Sequence, residues 1–150
     1  MKRIEQFYVI LMVVSFGSLI YFAVQSVQAL QSDLGIDAIH QIYHRNAELL
    51  TYGVPGLALL FLAGAAVLDW KLNKSRYFVM AGLFYIVLTA VDYMVVCESY
   101  FVWIRGTGQW KGSFSASWIV GIIFVLTGMI VTGAALWITQ TMKEIFNKQK

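Results

Sequence analysis

Asp92 is the residue of this 150-residue chain whose position most needs a chemical reason. It stands inside an apolar run from Tyr77 to Ile104, where an ionisable group costs at least ~2.5–3.5 kcal/mol to insert into a membrane. A carboxyl group kept at that cost is suited to move a proton or to pair with a cationic ligand. The structural alternative stays open: a carboxyl shared between helices as glue, each bond contributing about 0.6 kcal/mol. Counting ~1.5 Å per residue from Arg76 puts Asp92 roughly 24 Å along its run, toward one face of the membrane. The same count brings Tyr21 and Gln25 of the first apolar run and Tyr52 of the second close to that level, with Glu48 and Glu98 just above. Asp92 is therefore the candidate acid or base, and Tyr21 and Tyr52 the catalytic candidates that would orient it. Gln25, Glu48, Glu98 and His44 are the candidate ligand-binding residues.

A second constellation lies nearby in sequence. His40 and His44 are four residues apart, which puts both imidazoles and Glu48 on one face of a helix, with Asp37 beside them. Imidazole and carboxylate suit zinc, iron or copper, but two neighbouring histidines leave such a site open to water, so no metal is assigned. No histidine lies in any apolar run, which removes the facing axial ligands a haem needs. The expectation for His40 and His44 is the solvated face of a surface helix. Cys97 is the single cysteine, which excludes an internal disulfide, a Cys-x-x-Cys redox pair and a cysteine zinc site; it reads as a small buried hydrophobe.

The elements that must position these residues are four apolar runs, about 7–30, 49–70, 77–104 and 118–139. Each reaches the ~20 residues that cross a ~30 Å hydrocarbon core as a helix, and each is too long for a barrel strand. With 59% hydrophobic and 13% charged residues, the solvent of this chain is lipid. The net charge of +3 is too small and dispersed for nucleic acid. The predicted fold is all-α: a single domain, 1–150, forming a four-transmembrane-helix bundle. Between the first two spans, Ile36, Ile39, Tyr43, Ala47 and Leu50 recur at helical spacing, predicting a short amphipathic outer helix capped by Ser32 or Asp33. Pro55, between Gly53 and Gly56, should kink the second span or end a preceding segment. Small residues at Ser15, Gly17 and Ser18, Ala63 to Ala66, and Gly121, Gly128, Thr132 and Gly133 offer close helix contacts.

Orientation follows from the basic residues flanking the spans. Lys2, Arg3, Lys71, Lys74, Arg76, Lys143, Lys148 and Lys150 fall on one side, against Arg45, Arg105 and Lys111 on the other. The richer side reads as cytoplasm, giving a multi-pass protein of a bacterial inner membrane with both termini inside. The run Phe7 to Val24 exceeds a signal-peptide core of ~7–15 residues, so it reads as a retained span.

The first span with Gly17-Ser18-Leu19-Ile20-Tyr21-Phe22-Ala23, the segment Ile36-Asp37-Ala38-Ile39-His40-Gln41-Ile42-Tyr43, and the return through Pro55-Gly56-Leu57-Ala58-Leu59-Leu60 resemble the small bacterial four-helix membrane proteins related to anthrone oxygenases. The resemblance covers about half the chain and implies cofactor-free oxygenation of an aromatic, polyketide-like substrate. From the residues alone two classes remain. One is a one-sided polar pocket for a small hydrophobic ligand, or for proton-coupled chemistry, with no cofactor assigned. The other is a non-catalytic accessory or assembly subunit, meeting a membrane-protein partner or its own copies through glycine-rich faces.

Overall fold

The computed structural model describes residues 2–112 and 115–148; Lys150, counted above for orientation, lies outside the described residues. Four helices are long and apolar enough to cross a membrane: α1 (Lys2–Leu30), α2 (Ile36–Leu72), α3 (Arg76–Gly106) and α4 (Ser117–Lys148). The chain is a multi-pass, all-helical membrane protein. Every helix outruns its apolar run, because polar residues beyond the hydrocarbon keep satisfying their backbone groups within the helix.

The outer segment is helical, as its spacing predicts, but it is the opening of α2 itself and not a separate helix. Buried Ile39, Tyr43, Leu50 and Val54 continue one stripe from the outer turns into the span, so nothing in the packing favours a break. Gly35, not Ser32 or Asp33, caps its start, and the Ser32 hydroxyl instead donates to the Ala29 carbonyl at 2.6 Å. Pro55 leaves α2 continuous, so the alternative of a terminated segment is not realised. Having no N–H, it frees the carbonyl of Thr51 four residues earlier. Asn73 ends the helix in the left-handed region at φ 53°, its N–H bonding the Asp69 carbonyl at 2.8 Å.

α3 holds a second irregularity. Val91–Cys97 is wound as a π-helix between α-helical stretches. Such wide turns are rare and gather at functional sites.

α1, α2 and α3 pack around one core in which Phe61, Phe78, Ala81, Phe84 and Leu88 are almost wholly enclosed. α4 lies along α3 and its π segment and meets α2 only lightly. Glycine makes that seam. A methyl group at Gly121 would strike the Tyr93 side chain, and one at Gly128 the Tyr85 ring. The contacts expected of Gly17 and Gly133 are absent, since a Cβ there would meet nothing within 4 Å.

Candidate functional site

Across from Thr51, whose carbonyl Pro55 frees, the π segment of α3 presents Asp92, which is 1% exposed. The Thr51 hydroxyl donates to Asp92 Oδ2 at 3.4 Å, a long bond, and among the described residues Asp92 Oδ1 has no partner. Both irregular stretches thus face one another across the α2–α3 contact. Each relaxes the regular backbone at the level of the one deeply placed acid.

Beside Asp92 opens a cavity of about 240 Å³ lined by Leu50, Thr51, Tyr52, Val54, Pro55, Tyr85, Thr89, Tyr93 and Phe124. The lining is apolar and aromatic apart from its hydroxyls, and no basic side chain belongs to it. Tyr93 and Phe124 stack face to face across α3 and α4, with centroids 5.3 Å apart. A second cavity of about 140 Å³ shares Pro55 and Tyr85 and continues along α2 and α4 past Thr127 and Thr132. Light packing between α2 and α4 leaves this path, while glycine brings α4 close enough to α3 to roof it.

The residues expected to share the level of Asp92 divide sharply. Tyr52 lines the cavity, although it is 76% exposed. Tyr21 is 58% exposed and accepts a 2.7 Å bond from Gln25 Nε2 on its own helix, and neither residue lines the cavity. Residue counts carry no information on direction around a helix, and α1 turns Tyr21 outward. Glu98 is engaged elsewhere, accepting from the hydroxyls of Ser115, at 2.8 Å, and Ser117, and so fastening the start of α4. Glu48 is exposed on α2.

Of the two histidines, His40 departs from the solvated face expected of it. His40 is half-buried and packs toward α3, its Nδ1 paired with the Tyr100 hydroxyl at 2.6 Å and its ring against Trp103. The stacking of Tyr43 on Tyr100, centroids 3.7 Å apart, brings α3 against this side of α2. His44 stays exposed, stacked on His40 at 6.0 Å. Among the described residues no third His, Cys, Asp or Glu joins them in a cluster able to hold a metal ion.

Three features escaped sequence reasoning. Thr51 and Thr89 flank Asp92, but hydroxyls in an apolar run carry no signal of their own. Asn46 is fully buried, with neither amide atom partnered among the described residues. At the opposite end of the bundle, Asp69 is 2% exposed yet receives Lys143 Nζ at 2.7 Å, and Glu5 receives Lys74 at 2.7 Å and the Tyr77 hydroxyl at 2.8 Å. No known protein family matches the chain, nor does any curated protein or solved structure.

Proposed function

We propose that this membrane protein holds a small, mostly apolar ligand in the cavity beside Asp92, whose carboxyl engages the ligand's one polar group. The observation that carries the reading is the unpartnered Oδ1 of an enclosed carboxylic acid beside a cavity. A buried oxygen without a partner costs about 1–3 kcal/mol, and a bound donor removes that cost. The volume is below the ~300–1,000 Å³ of drug-sized pockets, which favours a molecule of one ring or a short chain. Entry is lateral, from the lipid, along the path between α2 and α4. The same carboxyl is within reach to take or give a proton on the bound group. If the anthrone-oxygenase resemblance extends to activity, that group is the hydroxyl or carbonyl of an aromatic ligand. The partition of basic residues supports cytoplasmic termini in a bacterial inner membrane.

The accessory-subunit reading draws on α4, which exposes large apolar side chains along its whole length and has Gly133 open. Complementation of a deletion strain separates the two readings. Asp92→Asn keeps size and hydrogen bonding, so membrane abundance should stay normal while function is lost. Full complementation by Asp92→Asn, with Gly133→Leu defective, would hand the role to the accessory reading.

A further inference from the structure

The chain treats its two most enclosed carboxylates in opposite ways. Asp69 has its counter-ion in Lys143. All three ion pairs among the described residues, Lys74–Glu5, Arg76–Glu5 and Lys143–Asp69, lie at that same end of the bundle. Asp92 has none among the described residues, and the helix stretches that enclose it supply none. α3 carries no Lys or Arg between Arg76 and Arg105, α2 none between Arg45 and Lys71, and α4 none between Ser117 and Lys143. The cavity beside Asp92 is lined instead by the aromatic side chains of Tyr85, Tyr93 and Phe124, with Tyr93 stacked on Phe124 and the hydroxyl of Thr51 on the carboxyl.

A carboxylate beside aromatic rings, with no protein cation, is complementary to a cation supplied from outside. The carboxylate provides the charge, and ring faces add attraction that strengthens where water is excluded. The desolvation cost selects among cations. A compact, strongly hydrated ammonium loses more on entering such a site than an alkylated one, whose charge is already shielded by carbon. One N–H suffices for the free Oδ1, and apolar substituents suit the rest of the lining.

We infer that the cavity between α2, α3 and α4 is a binding site for a lipophilic tertiary ammonium ion, its N–H donated to Asp92 and its alkyl groups against Tyr85, Tyr93 and Phe124. This names the ligand class for the site proposed above and rests on that reading. An amine of this kind crosses the bilayer as the free base and becomes charged where it meets the acid. The proton it gains is the one the carboxyl loses, so the pair forms without any other reactant.

The probe is tritiated benzyldimethylamine, titrated at neutral pH into the full-length protein in lipid nanodiscs. Saturable binding of one ion per chain is expected. Asp92→Asn should weaken it by about tenfold or more, the scale of one lost charge-assisted bond. Tyr85→Leu should weaken it about threefold and Tyr85→Phe should leave it unchanged, since only the π face matters. Isobutylbenzene, which has the same shape without the charge, should not displace the probe. Absence of saturable binding, equal affinity in Asp92→Asn, or displacement by isobutylbenzene would overturn the cation assignment. If Asp92→Asn still fails to complement, the ligand site survives that outcome with a neutral ligand. Complementation by Asp92→Asn removes both.

Discussion

Asp92 and Asp69 are the same side chain in nearly the same degree of enclosure, and their partners separate their roles. Asp69 is joined to Lys143, which also donates to the Asn73 side chain at 3.1 Å, so the pair ties α4 to the end of α2. Lys143→Met leaves a buried carboxylate without its cation and should cost on the order of 1–3 kcal/mol. The check is a lowered melting temperature in detergent micelles, largely restored by Asp69→Asn in the same chain. A melting temperature unchanged by Lys143→Met alone would show that the pair does not hold α4. At this scale the sequence discloses Asp92, because a charge inside an apolar run is conspicuous. It conceals the surroundings of Asp92, because its hydrogen-bond donor Thr51 and the cavity-lining Tyr85 look like ordinary members of their runs. Tyr21 and Gln25 mislead for the complementary reason: residue counts give height along a helix, and an apolar run with no polar face gives no direction around it.

The elements tell a similar story one level up. Pro55 announces an irregular α2, but the π turn of α3 carries no comparable flag, since Val91–Cys97 holds no proline or glycine and its one charged residue, Asp92, says nothing of backbone geometry. The seam between α3 and α4 depends on missing side chains instead. Gly128→Leu drives a side chain into the Tyr85 ring and should destabilise the fold by about 1–3 kcal/mol, whereas Gly133→Leu, facing open space, should leave melting unchanged. Equal melting temperatures for the two variants would mean that α4 is not seated by Gly128. The expectation that small residues mark contacts is thus met at Gly64, Gly121 and Gly128 and fails at Gly17 and Gly133.

For the whole molecule, four spans follow from hydrophobic length alone, because lipid leaves the backbone few other solutions. The site is legible only in part, since it forms where three helices meet and no single run contains it. The basic-residue partition predicts that a reporter placed after Lys150 or near Asn73 acts as cytoplasmic and one near Gly108 as external. Opposite signals would invert the molecule and put the Asp92 level in the inner half of the membrane. The central claim, that Asp92 is an accessible acid facing a lipid-entered cavity and not sealed glue, can be read across all eight carboxyl side chains at once. Native membranes are treated with the lipid-soluble dicyclohexylcarbodiimide or with a water-soluble carbodiimide, and each modified residue is mapped by mass spectrometry. The expected result is rapid modification of Asp92 by the lipid-soluble reagent alone, with ion-paired Asp69 protected from both. An Asp92 no more reactive than Asp69 would contradict the account.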